Sequence, residues 1–263
     1  MSVTVTTMKK MKQESDKITW LTAYDYSFAS LIDNAGIDAI LVGDSLGMVM
    51  QGHETPVPVT IEDSVYHTQC VAKGVTNAMI VGDLPFGSYQ LSKEQAYENA
   101  VKLMQAGAHT IKLEGGELQV ETIAFLAERS IAVCAHIGLT PQSVHQLGGF
   151  KVQGRGDAAQ RLIEDAIAVE KAGAFAVVLE AVPMDLAAKI TEQLSIPTIG
   201  IGAGVDCDGQ VLVLQDMLGI YPKKSPKFCK NYMQDADSIL GAVEQYKSDV
   251  KEGIFPALEH SFK

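Results

Sequence analysis

The feature that most constrains this chain is a series of short apolar runs, mostly rich in Val and Ile. They read ITWLTAYD (18–25), IDAILVGD (37–44), NAMIVGD (77–83), HTIKLEG (109–115), IAVCAHIG (131–138), AFAVVLEA (174–181), IPTIGIGA (196–203) and QVLVLQD (210–216). Each run is continuous in hydropathy rather than alternating. A strand of that kind is buried on both faces, as in a parallel sheet covered by helices. The intervals carry helix signals. TIEDSVYHTQCVAKG opens with Thr60 and Asp63, and SKEQAYENAVKLMQAG opens with Ser92 and Gln95, the spacing of a capping box. In the second segment Ala96, Ala100, Leu103 and Met104 share one helical face. DAAQRLIEDAIAVEKAG and DLAAKITEQLS follow the same logic.

An internal echo supports repetition. AGIDAILVGD, AGAHTIKLEG and AGAFAVVLEA each run from Ala-Gly at a helix end, through a strand, to an acid. The glycine suits the left-handed position that ends a helix. Eight strands with intervening helices predict an α/β fold, a (β/α)8 barrel, for which 263 residues is an ordinary length. No linker-like change of composition divides the chain, so one domain over residues 1–263 is expected, with a short N-terminal helix. One spacing is awkward. Only about eight residues separate the seventh and eighth runs, less than a crossover helix needs. Either that unit carries a single helical turn or one strand is misassigned.

Composition narrows the function classes. Apolar residues make up 47% and charged residues 20%, which fits a large core and argues against disorder. A formal charge of −11 argues against a nucleic-acid partner, since phosphate binders usually carry a basic face. Cys70, Cys134, Cys207 and Cys229 form no C-x-x-C pair, so neither a zinc knuckle nor a disulfide framework is indicated. Free thiols suit a reducing compartment. The first residues lack the apolar stretch of a signal peptide, and no apolar run approaches membrane-spanning length. A cytoplasmic protein with no membrane span is expected.

The runs end in charge. In such a barrel the C-terminal ends of the strands share one face, which carries the active site. There stand Asp25, Asp44, Asp83, Glu114, His136, Glu180 and Asp216, with Lys112 near one of them. So many carboxylates in one basin repel unless a cation sits among them, and oxygen ligands without a His/Cys set suit a hard ion such as Mg2+. Asp25 and Asp216 read equally well as helix caps. Asp44 and Asp83 both follow Val-Gly, where the glycine permits close approach of backbone or ligand. Lys112 and Glu114, two apart, point to the same side of their strand, as a structural pair or as part of a substrate site. His136 is a pocket-lining candidate. His53, His67, His109, His145 and His260 show no ligand spacing and read as surface or packing residues. Residues 45–60 and 138–156 are long enough to act as lids. GIGAG (200–204) is either a phosphate loop or a close-packing device.

LVGDSLGM, VGDLPFGSY, KLEGG, AHIGLTPQS, GGFKVQGRG and IGIGAGVDCDGQVLV, in that order over nearly the whole chain, closely resemble the ketopantoate hydroxymethyltransferase family. The resemblance implies a barrel of the phosphoenolpyruvate/pyruvate type. It also implies transfer of a hydroxymethyl group from 5,10-methylenetetrahydrofolate to 3-methyl-2-oxobutanoate, giving 2-dehydropantoate. By the same resemblance Asp44 and Asp83 ligate Mg2+, and Glu114 completes the metal site, directly or through water. Ser45 and Lys112 hold the substrate's carboxylate end, and Glu180 is the general base. Family members are decamers of two pentameric rings, so a homo-oligomer is implied. Two other readings stay open on the residues alone. One is a Mg2+-dependent carbon–carbon lyase or mutase acting on a small 2-oxo acid, although no KKCGH-like loop is present. The other is a non-catalytic barrel whose carboxylates are caps.

Overall fold

The computed structural model describes residues 2–263. Eight parallel strands close into a barrel in sequence order, with the first paired to the eighth. Helix α1 (Val5–Gln13) comes first, followed by β1 (Ile18–Thr22), α2 (Tyr26–Asn34) and β2 (Ala39–Val42). Short α3 (Leu46–Val49), α4 (Ile61–Ala72), β3 (Met79–Asp83), α5 (Lys93–Gln105) and β4 (Thr110–Glu114) continue the alternation. Then come α6 (Val120–Ala127), β5 (Val133–Gly138), short α7 (Val144–Leu147), α8 (Ala158–Lys171), β6 (Ala176–Glu180) and α9 (Met184–Gln193). The chain ends with β7 (Thr198–Ile201), β8 (Gly209–Leu212), the single turn α10 (Leu214–Met217) and α11 (Ile239–Lys251).

Period-two alternation within each strand creates two cores. Outward residues such as Ile40, Ile80, Ile111, Val177 and Leu179 pack under the helices in the larger cluster. Inward residues form a second cluster from Ile18, Trp20, Leu41, Met79, Val81, Cys134, Val178, Ile199 and Val211. Met8 and Met11 of α1 belong to that inner cluster, so the N-terminal helix stoppers the bottom of the barrel. Moving up each inner face, the apolar residues give way to ionisable ones. Met79 and Val81 lead to Asp83, Cys134 to His136, and Val178 to Glu180. Burying each aliphatic side chain below contributes about 1.5–3 kcal/mol, and that cushion lets the upper layer be polar.

The structure resolves the awkward spacing against both expected outcomes. β7 and β8 are both strands of the barrel, and residues 202–208 join them by turns without any helix. The side chain of Asp208 clamps the return, accepting from Thr198 N at 2.9 Å and from Lys12 Nζ at 2.6 Å. Lys17 donates to the carbonyls of Val205 and Cys207 at 2.9 and 2.6 Å. Helix α11 covers the neighbouring seam, where the Tyr246 hydroxyl lies 3.0 Å from the carbonyl oxygens of both Trp20 and Gln210. Thr60 and Asp63 form the expected capping box. Ser92 caps α5, but Gln95 reaches past the cap to the backbone N–H of Leu91, so that box is incomplete. Among the described residues no helix is long and apolar enough to cross a membrane, and all four cysteines are free thiols.

Candidate active site

A cavity of about 520 Å3 opens at the C-terminal ends of the strands. Asp44, Ser45, Asp83, Lys112, Glu114, His136 and Glu180 all line it. Asp25 does not; it caps α2, accepting from Phe28 N at 3.0 Å. Asp216 does line the cavity, yet it sits in the turn of α10 rather than at a strand end, and it caps nothing.

Strand register sets the ion pairing. Asp83 stands opposite Lys112, and Glu114 opposite His136. Lys112 Nζ therefore contacts both oxygens of Asp83 at 2.7 and 2.8 Å, while Glu114 Oε1 lies 3.9 Å away. The pair expected within β4 is thus mainly a pair between β3 and β4. Burial opposes the Lys112 charge, but the carboxylates of Asp83, Glu114 and Asp44 outweigh it and hold the ammonium above its ordinary range.

Asp44 adjoins the Asp83 carboxylate, donating its backbone N–H to Asp83 Oδ2 at 3.1 Å. Burial, reinforced by the Asp83 charge, pushes the Asp44 carboxyl upward. Glu114 is raised chiefly by burial too, and its Oε1 has no hydrogen-bond partner among the described residues. Across the floor, His136 stands between two carboxylates. Its Nδ1 lies 3.5 Å from Glu114 and its Nε2 3.3 Å from Glu180. Burial first, and Lys112 second, keep that imidazole neutral. Glu180 is raised to about 8, mainly by burial. The next residue, Ala181, adopts a left-handed φ of 48°, a strained turn at the cavity wall.

The donor set suits a hard cation. Asp44, Asp83, Glu114 and Glu180 face one buried ammonium, so ionising all four would leave uncompensated negative charge at the floor. Among the described residues no three acidic, His or Cys side chains converge closely enough to cage a metal. Mg2+ usually takes one or two carboxylates and leaves its remaining positions to water and substrate oxygens, which fits an adjacent Asp44 and Asp83.

A family profile described as ketopantoate hydroxymethyltransferase matches residues 2–258. A 3-methyl-2-oxobutanoate hydroxymethyltransferase of Neisseria meningitidis serogroup A is 60% identical over 260 residues, covering 99% of each chain. The chain belongs to the ketopantoate hydroxymethyltransferase family. A relative of the same description from Thiobacillus denitrificans is 60% identical over 264 residues and covers both chains fully. Among solved structures, 2,3-dimethylmalate lyase, a PEP mutase/isocitrate lyase superfamily member, superposes with a TM-score of 0.58 at 14% identity, covering 96% of this chain and 99% of that one. A phosphonopyruvate hydrolase complex with oxalate and Mg++ gives a TM-score of 0.61 at 14% identity over 80% of each chain. These two establish the shared barrel fold.

In this ketopantoate hydroxymethyltransferase family member, several wall residues had been given no role from the sequence. Gln142, in the loop after β5, ties the floor together. Its side-chain amide donates to Asp44 Oδ2 at 2.8 Å and to the Leu84 carbonyl at 3.0 Å, and its backbone N–H donates to Glu114 Oε2 at 3.0 Å. Tyr89 donates to Gln142 Oε1 at 2.7 Å. Tyr24 holds Ser45 through a 2.8 Å hydroxyl–hydroxyl contact. Residues 45–60 and 138–156 both contribute to the wall, but each contains a short helix, and a third segment, 221–228, joins them. Gly82 serves packing rather than ligand approach, since a Cβ there would meet Leu103 and Ala108 of the helical layer. In GIGAG, a Cβ at Gly202 would meet Phe228 and Phe262, each at 3.0 Å, so that loop makes room for the aromatic wall.

Proposed function

We propose that the protein transfers a hydroxymethyl group from 5,10-methylenetetrahydrofolate to 3-methyl-2-oxobutanoate, giving 2-dehydropantoate, the first committed step toward pantothenate. The observation that carries the residue assignment is Glu180, a carboxylate with raised proton affinity, sharing one cavity with the adjacent Asp44 and Asp83.

Asp44 and Asp83 would hold the Mg2+, with Glu114 completing the acidic set beside them. When bound, the ion supplies positive charge against the oxygens of the keto acid as its C3 proton leaves. Lys112 and Ser45 orient the substrate's carboxylate end, and Tyr24 fixes the Ser45 hydroxyl. Glu180 takes the proton from C3. Its raised pKa matches a base working near neutral pH, a contribution of about 10²–10⁴ in rate. Neutral His136 lies 3.3 Å from Glu180 Oε2 without hydrogen-bonding to it, so it brings no positive charge to that carboxylate. Water releases the folate-borne carbon at the formaldehyde level, both of its C–N bonds breaking to leave tetrahydrofolate; C3 then bonds to that carbon, and the resulting alkoxide takes back a proton to become the hydroxymethyl group.

The family resemblance extends the proposal to a cytoplasmic homodecamer. Exposed Leu91 and Leu118 supply apolar surface for contacts between subunits. The test is a folate-dependent assay for 2-dehydropantoate with and without a chelator. Product that disappears on chelation and returns with Mg2+ supports the reading. No product under any divalent metal overturns it, and folate-independent release of pyruvate or glyoxylate from an acid substrate identifies a lyase instead.

A further inference from the structure

The keto-acid site accounts for only the floor of the cavity. Its wall beside α10 holds a second, differently built zone. Asp216 is 92% buried, at 8% residual exposure, and lines the cavity. Its Oδ1 has no hydrogen-bond partner among the described residues. The nearby Tyr221 hydroxyl, also on the cavity wall, is likewise unpartnered among them. A buried carboxylate normally finds donors, because leaving it without them forfeits its hydration for nothing. The fold supplies donors for the deeply buried acids outside the cavity. Asp33 accepts from the backbone N–H groups of Thr76, Asn77 and Ala78, and Asp249 from Lys230, Tyr232 and Gln245. Asp216 is therefore built to receive donors from outside the chain.

Above it the electrostatics change sign. In a chain of net charge −11, Lys151, Lys223, Lys224 and Lys227 all line the mouth of this one cavity. Lys223 is engaged with Glu54 at 2.9 Å, and Lys227 lies over the Phe262 ring at 5.1 Å, while Lys151 and Lys224 stand exposed. Phe150, Phe228 and Phe262 complete the wall with flat apolar surface. The zone thus offers an acceptor for N–H groups inside, aromatic faces beside it, and ammonium groups at the rim. A ligand that matches has a flat heterocycle with adjacent N–H donors and a flexible polyanionic tail.

We propose that this zone docks the one-carbon donor, with Asp216 accepting from the amino and ring N–H groups of the reduced pterin and the rim lysines taking the carboxylates of its glutamate tail. The assignment rests on the reading above and locates its second substrate. The floor and the wall also meet. Asp216 follows β8, Phe228 and Phe262 close over Gly202 after β7, and Phe262 pairs with Pro183 just beyond Glu180, so the pterin would lie between Asp216 and the β6–β7 wall, beside the keto acid.

The test uses the full chain with Mg2+, and two readouts. Tetrahydrofolate is titrated by fluorescence against wild type and Asp216→Asn, and C3-proton exchange of 3-methyl-2-oxobutanoate is followed in deuterium oxide without folate. Replacing a charged acceptor should weaken tetrahydrofolate binding by about 10–100-fold. Exchange should persist, which also shows that the variant is folded. A 2-desamino-2-methyl analogue of tetrahydrofolate should lose affinity for wild type but not for the variant, the non-additivity expected of directly contacting groups. Lys224→Ala should reduce the gain in affinity from monoglutamate to triglutamate. Unchanged tetrahydrofolate affinity in Asp216→Asn overturns the assignment, as does parallel collapse of exchange, which would put Asp216 in the keto-acid site. Wild type that makes product while Asp216→Asn loses nothing overturns this assignment alone. Wild type that makes no product overturns the proposed function and this inference with it.

Discussion

Glu180→Gln separates the chemical role of this carboxylate from its cost. Its pKa is raised from 4.5 to about 8, burial being the main cause. One pKa unit corresponds to 1.36 kcal/mol, so holding Glu180 ionised in the folded chain costs at most about 5 kcal/mol. The sign follows from the direction of the shift. A carboxyl with a raised folded pKa is no burden below about 4.5, and the stability it leaves intact there is lost as pH rises through about 8. Glutamine does not titrate. In chelator, the variant's melting temperature should match wild type near pH 5, then exceed it by a margin that widens to pH 8 and stays level beyond. At roughly 2–4 °C per kcal/mol for a chain of this size, a gap of up to about 10–20 °C is expected at pH 9. The same substitution should slow exchange of the substrate's C3 proton by about 10²–10⁴-fold while Mg2+ binding persists. Melting by calorimetry and exchange by proton NMR read the two arms. Exchange at the wild-type rate would reject Glu180 as base. A melting gap indifferent to pH would show that its carboxyl is not ionised against a penalty.

In wild type the exchange rate should climb with pH to a midpoint above 4.5 and then level; a midpoint at 4.5 would place the base in a solvated position. Asp83→Ala should lose Mg2+ affinity measured by titration calorimetry and, by stranding the Lys112 ammonium, cost about 3–5 kcal/mol in urea denaturation; unchanged metal binding would remove Asp83 from the ligand set. Gln142→Leu deletes the donor that orients Asp44 and should weaken Mg2+ binding by about 10–100-fold, whereas wild-type affinity would mean Asp44 needs no such support. Gly202→Val combines a φ of 67° with contact against two phenylalanine rings, so denaturation should begin about 1–3 kcal/mol lower in stability; an unmoved urea midpoint counts against the packing role.

The barrel was legible because its signal is repetitive. Eight continuous apolar runs, each closed by charge, leave few ways to bury both faces of every strand. What the runs could not give was register. Lys112 and Glu114 look like a pair in sequence, yet the β3–β4 pairing puts Asp83 opposite Lys112 and makes that the dominant contact. Asp216 resembled a cap because a helix follows, but the turn of α10 begins before it and turns its carboxylate to the cavity. Gln142, Tyr89 and Tyr24 stand inside AHIGLTPQS, VGDLPFGSY and ITWLTAYD, but their bridging roles were hidden for a different reason. A neutral polar residue in a loop has no periodicity and no charge to betray it; only the convergence of four strand ends reveals that it bridges them. The rim at 221–228 follows the last strand, where no apolar run marks its return to the barrel mouth.

Two kinds of buried carboxylate coexist in this chain, and their contrast identifies the working surface more sharply than burial does. Asp33 and Asp249 are as deeply buried as the cavity acids, and burial alone would raise them. Hydrogen bonds from neighbouring backbone and side chains outweigh it, and both stay below their ordinary values. Asp44, Glu114, Glu180 and Asp216 are raised instead, and the orphaned atoms of Glu114, His136 and Asp216 all lie on the cavity wall. The same fold satisfies one set and leaves the other short, so the shortage is not a general failure of packing. Among the buried carboxylates it falls at the end of the barrel where ligands enter, and the stoppered apolar layers beneath supply the stability that tolerates it. The missing charge and the missing donors together specify what must arrive: a small hard cation at the floor, and N–H groups at the wall.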